Sequence, residues 1–256
     1  MLIWFKGVVT SIGVDNINFN VDDIETVLGT NSSDTFIYSQ DSGVSIDGRG
    51  GDDLLDLSNF TTGASVNLGQ QTVEPLAENA FRAFTFESIN SVTGTNFADE
   101  IVTHGGGDAE ENTTEVNGGG GNDVITVLDG SRINGGAGND VITIAGGLGV
   151  SVAGGGDRDT FRLLETAEFR TDLTILDFNF SQNDEFEIVT NMIIVNSQDS
   201  FEEFIGVNLA RSTRQFSSVD VGVEDVGEIT FFNVIDINDE LTEARIDDIL
   251  VGNIPD

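Results

Sequence analysis

The residues of this chain with the clearest chemical pattern are aspartates that follow glycine-rich segments. Asp140 lies 17 residues after Asp123, and Asp159 lies 19 residues after Asp140. Carboxylate and carbonyl oxygens are the hard ligands of Ca²⁺, which takes about six to eight of them at about 2.3 to 2.6 Å, whereas Mg²⁺ needs a smaller octahedral site. The chain has no cysteine and one histidine, so no soft or imidazole cluster for zinc or copper exists. The spacing therefore indicates calcium.

These aspartates belong to an internal repeat of nine residues. Segments 118–126 (GGGGNDVIT) and 135–143 (GGAGNDVIT) match at eight of nine positions, and weaker copies begin at Gly154, Gly48, Gly29 and Gly94. All six copies have aspartate at position six: Asp34, Asp53, Asp99, Asp123, Asp140 and Asp159. All six have an apolar residue at position eight: Phe36, Leu55, Ile101, Ile125, Ile142 and Phe161. A repeat of this length predicts a solenoid.

The elements that must position the aspartates follow from the repeat. Six glycine-rich residues can turn sharply, because glycine tolerates positive φ, and three residues then form a short strand with alternating faces. Two such units give a coil of about eighteen residues. We expect ions between Asp123 and Asp140 and between Asp140 and Asp159, along one edge, since Arg132 and Gly149 halfway round offer no carboxylate.

GGGGNDVIT and GGAGNDVIT resemble the G-G-x-G-x-D-x-U-x nonapeptide of RTX (hemolysin-type) calcium-binding proteins. The resemblance implies an all-β fold, a parallel β-roll (β-helix solenoid) with a C-terminal β-rich capping region, holding several Ca²⁺ ions. It implies metal ligands at Gly118, Gly119, Gly120, Asp123, Gly135, Gly136, Ala137, Gly138, Asp140, Gly154, Gly156 and Asp159. The weaker copies add Asp53, Asp99 and Asp34. Residues 159–188 are similar to the region that follows the repeats in serralysin-like type I secreted proteins.

Composition divides the chain into three parts. Eighteen of the 31 glycines lie between Gly94 and Gly156, whereas ten of the 18 phenylalanines follow Thr160. We expect an N-terminal cap or truncated edge at residues 1–20, an RTX-type calcium-binding β-roll at 21–165, and a capping and secretion region at 166–256.

The net charge of −35 excludes several partners. The chain would repel nucleic acid and anionic membranes, and no stretch has the eighteen apolar residues of a membrane span. Most of the 45 acidic residues are expected to form a solvated surface. The five-residue apolar run before Lys6 is too short for a cleaved signal peptide. The RTX resemblance instead implies export by a type I secretion apparatus and an extracellular location.

The sequence gives no sign of an enzyme. The sole histidine, His104, excludes an H-E-x-x-H zinc site, and the nucleophile elbow and phosphate-loop motifs are absent. We therefore predict a non-catalytic calcium-binding module with a structural, stabilising or adhesion role that folds on calcium binding after secretion. The alternative is a non-catalytic module of a polysaccharide-modifying enzyme resembling alginate epimerases, or a polysaccharide-binding module. Extracellular polysaccharide or a cell surface is its expected partner.

Overall fold

A computed structural model describes residues 7–10, 17–19, 24–38, 43–78, 80–104, 114–128, 130–146, 149–165, 173–179, 181–190, 205–210, 218–223 and 227–232. These residues form 22 strands and no helix. The strands belong to two eleven-stranded sheets, here called sheet 1 and sheet 2. The protein is therefore all-β, as its repeat predicts.

Sheet 1 runs in the order β1, β3, β5, β9, β8, β7, β11, β13, β15, β17, β19. Its strands are β1 (Gly7–Thr10), β3 (Ile24–Leu28), β5 (Ser45–Asp47), β7 (Ala64–Asn67), β8 (Thr72–Pro75), β9 (Phe84–Glu87), β11 (Glu100–Val102), β13 (Val124–Val127), β15 (Val141–Ile144), β17 (Thr160–Glu165) and β19 (Glu185–Thr190).

Sheet 2 runs in the order β2, β4, β6, β10, β12, β14, β16, β18, β22, β21, β20. Its strands are β2 (Ile17–Phe19), β4 (Thr35–Tyr38), β6 (Leu54–Asp56), β10 (Ser91–Thr93), β12 (Thr114–Gly120), β14 (Ser131–Ala137), β16 (Val150–Gly156), β18 (Leu173–Ile175), β20 (Ile205–Ala210), β21 (Ser218–Val223) and β22 (Gly227–Phe232).

The two sheets arise because the chain passes from one to the other at almost every turn. From β9 to β19, successive strands alternate between sheets, and each strand pairs in parallel with the strand one coil away. Ile125 pairs with Ile142 and Ile142 with Phe161, so equivalent repeat positions stack directly. This is the architecture of a parallel β-roll, and it confirms the predicted fold class.

The apolar core lies between the sheets. The six residues at repeat position eight are all buried, none more than 1 % exposed: Phe36, Leu55, Ile101, Ile125, Ile142 and Phe161. Side chains next to them in sequence point outward, as the period of two in a strand requires. Burying each large apolar side chain contributes about 1.5 to 3 kcal/mol, so this stack supplies much of the stability of the roll.

One detour interrupts the coils. Strands β7, β8 and β9 form an antiparallel meander, so sheet 1 has three strands between β5 and β11 where sheet 2 has only β10 between β6 and β12. Four buried aromatic residues pack beside it, with ring centroids 4.4 to 5.7 Å apart: Tyr38, Phe60, Phe81 and Phe84. Large rings thus fill the core where the regular stacking of small coils is broken.

Three further features concern the expected parts of the chain. Within residues 1–20, β1 and β2 pair with β3 and β4. Strands β18 and β19 continue both sheets past residue 165. Strands β20, β21 and β22 form an antiparallel meander that joins sheet 2 through β18.

Candidate metal centre

Each aspartate of the repeat is the residue directly before a strand. Asp34 and Asp53 precede β4 and β6, at the first edge, where the chain passes from sheet 1 to sheet 2. The other four precede sheet 1 strands, at the second edge, where the chain returns from sheet 2: Asp99, Asp123, Asp140 and Asp159. The six copies therefore split between opposite edges, and the stack of Asp123, Asp140 and Asp159 lies on one of them.

A ladder of hydrogen bonds connects the aspartates along each edge. At the second edge, the backbone amides of Asp99, Asp123 and Asp140 each donate to Oδ1 of the next aspartate, over 2.8, 2.8 and 3.0 Å. At the first edge the amide of Asp34 donates to Asp53 Oδ1 over 2.7 Å. These bonds turn each carboxylate toward the interior, where Asp53, Asp123, Asp140 and Asp159 are no more than 1 % exposed.

The second oxygen of four of these carboxylates has no partner. Asp53 Oδ2, Asp123 Oδ2, Asp140 Oδ2 and Asp159 Oδ2 are buried and accept no hydrogen bond. A buried charged oxygen without a donor is expensive, because it loses its hydration and gains nothing in return. Burial accordingly raises the pKa of Asp53 and Asp140 to about 6 and the pKa of Asp123 and Asp159 to about 7.

In the four copies with an unpartnered oxygen, the first glycine faces that oxygen. A Cβ added at Gly118 would overlap both Asp123 Oδ2 and the carbonyl oxygen of Gly135, and one at Gly135 would overlap Asp140 Oδ2. Gly48 and Gly154 have the same relation to Asp53 and Asp159. Glycine is needed here because the carboxylate and a carbonyl of the next coil approach its α-carbon closely.

Positive φ angles shape the rest of each copy. The second position is left-handed at Gly119 (φ 100°), Gly136 (111°) and Gly155 (101°), and the fourth at Gly121 (113°) and Gly138 (120°). Asp157 replaces the fourth glycine and still adopts φ 74°. The fourth-position amides of Gly121 and Gly138 donate to the third-position carbonyls of Ala137 and Gly156, over 2.8 and 3.3 Å. We predicted six-residue turns, but residues 118–120, 135–137 and 154–156 extend β12, β14 and β16, since their backbones pair in register.

The oxygen atoms at these copies fit a cation that accepts mixed ligands. Among the residues that the structure describes, no three or more His, Asp or Glu side chains converge as a metal cluster. A cation there would take an aspartate oxygen and backbone carbonyls, which is a donor set that Ca²⁺ accepts. The buried unpartnered oxygens give a reason for such an ion. We refer to copies 48–53, 118–123, 135–140 and 154–159 as the glycine corners.

In the two remaining copies the Oδ2 oxygen of the aspartate has protein donors. Thr30 donates to Asp34 Oδ2 through its amide over 2.6 Å and its hydroxyl over 2.9 Å. The amide of Thr95 donates to Asp99 Oδ2 over 2.6 Å, while its hydroxyl and the amide of Ala64 reach Asp99 Oδ1 over 3.0 and 2.7 Å. We refer to copies 29–34 and 94–99 as the threonine corners.

Three residues that belong to or contact these ladders were not among the predicted metal ligands. Asp184 continues the second edge, since its Oδ1 accepts the amide of Asp159 over 3.0 Å and its Oδ2 that of Asn179 over 2.8 Å. Asn90 takes the next position after Asp53 at the first edge. Asp177 accepts the amides of Gly154 and Gly155 over 2.8 Å each. Asp184 and Asn90 could have been found as polar residues two before an apolar one, Phe186 and Val92.

In comparisons with known proteins, no family model matches the chain, and no curated protein does either. Membership of the RTX group therefore stays a prediction from the nonapeptide copies. Among the described residues, no helix has the length and hydrophobicity needed to cross a bilayer.

Proposed function

We propose that this chain is an extracellular, non-catalytic calcium-binding module of the RTX type with a structural, stabilising or adhesion role. The observation that carries the proposal is the set of four buried aspartate oxygens without partners at the glycine corners. Each faces a glycine α-carbon where a side chain would not fit. A divalent cation supplies the positive charge that these sites lack.

Calcium would then act on folding by linkage. In its absence the chain must bury carboxylates that lack donors, and the net charge of −35 favours an expanded chain. An ion that binds only the folded form stabilises it by about 2.7 kcal/mol per site when its concentration is 100 times the dissociation constant. Extracellular calcium modules bind at about 10⁻⁴ to 10⁻³ M, so the fold would form outside the cell.

Circular dichroism on the full chain tests this proposal. We expect little β signal in calcium-depleted buffer at pH 7.5 and low salt, and a cooperative rise as calcium is added to millimolar concentration. Magnesium at the same ionic strength is the matched control and should produce a much smaller rise. A chain that is equally folded and equally stable without calcium contradicts the proposal.

Export through a type I secretion apparatus is part of the same proposal. An unfolded, acidic chain can pass a narrow channel before it meets calcium. We expect the full chain to reach the medium when it is expressed with a type I transporter, and expect residues 1–165 alone to stay in the cell. Equal export of both would show that residues 166–256 carry no signal.

A groove favours polysaccharide binding as a second candidate function. The groove has a volume of about 1130 Å³ and lies across the outer face of sheet 2. Its lining includes neighbouring hydroxyl and amide side chains: Ser91, Thr93, Asn117, Asn134 and Ser151. Parallel strands repeat these groups at about 4.8 Å, a spacing suited to an extended chain of sugars.

The charges of the groove favour a neutral glycan. Arg132 lies on the outer strand face of sheet 2, whereas Arg162 lies on β17 of sheet 1. Arg132 is also 3.6 Å from Glu115, so the groove offers no excess positive charge. Glycan-array binding in calcium, lost in Asn134→Ala, would support this function, and no retention of any glycan would contradict it.

A further inference from the structure

The six corners use two different ways of stabilising the same buried aspartate. In the threonine corners, Oδ2 accepts a backbone amide from position two, over 2.6 Å at both Asp34 and Asp99. In the glycine corners, Oδ2 accepts nothing. The difference therefore resides in one residue, four positions before the aspartate.

The backbone explains why position two decides. The structure describes all residues of copies 29–34 and 94–99, and none of them has positive φ. The amide of Thr30 or Thr95 thus points at its own aspartate. At Gly119, with φ 100°, the amide instead donates to Asn117 Oδ1 over 3.2 Å, and that of Arg49, with φ 70°, donates to Asp47 Oδ1 over 2.9 Å. The left-handed conformation turns the amide away and leaves the carboxylate short of a donor.

Threonine cannot simply be placed in a glycine corner. A Cβ at Gly119 would overlap the backbone carbonyl of Thr95, and one at Gly136 would overlap that of Gly119. β-branched residues also disfavour positive φ. The two corner types are consequently alternative backbone conformations that differ at the second residue, whose φ is positive in the glycine corners.

We infer that Thr30 and Thr95 replace the cation at the threonine corners, so that calcium is confined to the corners of Asp53, Asp123, Asp140 and Asp159. This inference rests on the proposed calcium-binding function and narrows it. Hydrogen bonds from amide and hydroxyl donors satisfy Oδ2 of Asp34 and both oxygens of Asp99. Those corners fold without a metal ion.

The order of the corners along each edge agrees with this division. At the second edge the unpartnered series of Asp123, Asp140 and Asp159 is bounded by Asp99 and Asp184, whose carboxylates are both fully hydrogen-bonded. At the first edge, Asp53 lies between Asp34 and the uncharged Asn90. At Asp99 the coil on the other side supplies a protein donor, the amide of Ala64, which donates to Oδ1 over 2.7 Å.

Within the part of the chain that the structure describes, the inference therefore gives two separate cation regions on opposite edges. One is the single corner of Asp53, and the other is the run of three corners from Asp123 to Asp159. Calcium titration should resolve them, because the run has neighbouring sites that share a ladder and the single corner does not.

Ion positions in a crystal of the wild-type chain grown with calcium test the inference directly. We expect anomalous density within about 2.6 Å of oxygens of Asp53, Asp123, Asp140 and Asp159. An ion coordinated by Asp34 or Asp99 overturns the inference and leaves the proposed function standing. A crystal without any bound calcium removes the proposed function itself.

Calcium counting in solution provides a second test with matched variants. Equilibrium dialysis of the full chain should show at least one fewer bound calcium in Asp53→Asn and in Asp140→Asn. Asp34→Asn and Asp99→Asn, checked for folding in calcium by circular dichroism, should bind the wild-type number. Loss of an equivalent in either folded threonine-corner variant overturns the inference. If either variant fails to fold, the crystallographic ion positions decide.

Discussion

Corners 94–99 and 118–123 lie next to each other at the second edge, and they differ in how they satisfy the same residue. Gly94 donates to the carbonyl of Asn117 over 2.8 Å, and the amide of Asp99 donates to Asp123 Oδ1 over 2.8 Å. Both aspartates are buried. Asp99 has protein donors on both oxygens, whereas Asp123 has one oxygen with none. The same placement in the fold thus leaves one carboxylate fully hydrogen-bonded and the other with an oxygen that has no donor.

The largest effect is expected when position two of the glycine corner is changed. Gly119→Ala puts a side chain at φ 100° and against the carbonyl of Thr95, so we expect a loss of about 3 kcal/mol in unfolding free energy. Gly120→Ala is the matched control, because its Cβ would lie 3.7 Å from the nearest atom, Asn96 Cα. Its unfolding free energy should change by less than about 1 kcal/mol. Urea denaturation in calcium measures both, and equal losses would refute the role of φ.

The next effect is the pH dependence of stability in the calcium-free fold, to which all four glycine corners contribute. Their aspartates have pKa values of about 6 to 7 in the fold, against about 3.9 in an unfolded chain. The calcium-free fold therefore binds more protons than the unfolded chain, and this contribution to stability is full below about pH 4 and lost as pH rises through 6 to 7.

The folded fraction in calcium-depleted buffer, followed by circular dichroism, should fall from pH 5 to pH 8. Saturating calcium should reverse or flatten this trend, because its binding displaces protons from the carboxylates. A calcium-free chain whose folded fraction rises with pH over this range would contradict the burial of unpartnered carboxylates.

Removing the charge of a single aspartate should have a smaller effect on stability. The sign of that effect without calcium should differ between Asp123 and Asp99. Asp123→Asn removes a buried charge, so without calcium it should leave stability unchanged or raise it by about 1 kcal/mol. With calcium the same variant should lose about 2 kcal/mol or more, because one ligand charge is gone. Asp99→Asn should lose about 2 kcal/mol in both conditions, since it disrupts hydrogen bonds from Thr95. Thermal unfolding with and without calcium measures both variants. An equal dependence on calcium in the two variants would contradict the difference between the corners.

The smallest effect is that of the threonine hydroxyl. Thr95→Val keeps the shape and the amide but deletes the hydroxyl that reaches Asp99, so we expect a loss of about 1 kcal/mol that does not depend on calcium. Thr93→Val, on the outer side of β10, is the control and should change stability by less than about 0.5 kcal/mol. A loss in Thr95→Val that calcium fully restores would show that an ion takes the place of the hydroxyl.

The coil and its core could be predicted from the sequence, because both depend on the spacing of residues within one repeat copy. Phe36 and Ile142 follow their aspartates by two residues, and one alternation of the strand places them inside. Asp123, Asp140 and Asp159 stack because the segments between them are close to one coil in length.

The division of the six repeat aspartates between the two edges could not be predicted from the spacing. Asp53 and Asp99 match one motif, but the meander of β7 to β9 lies between them, and Asn90 takes the next position of the first edge. Asp184 could not be assigned to the ladder, because 25 residues separate it from Asp159 and no glycine-rich copy precedes it. The donors of Asp99 depend on φ at Thr95, and a nonapeptide pattern records residue types without recording backbone angles.

The aspartate ladder also has a direction. Each carboxylate accepts a hydrogen bond from the amide of the preceding corner. The last aspartate of a stack therefore has an amide with no following carboxylate to accept it. At Asp184 that amide donates instead to the carbonyl of Asn179, over 3.3 Å. Among the described residues, the ladder therefore ends at a corner whose amide is already hydrogen-bonded within its own turn, so this end of the second edge is completed by its own loop.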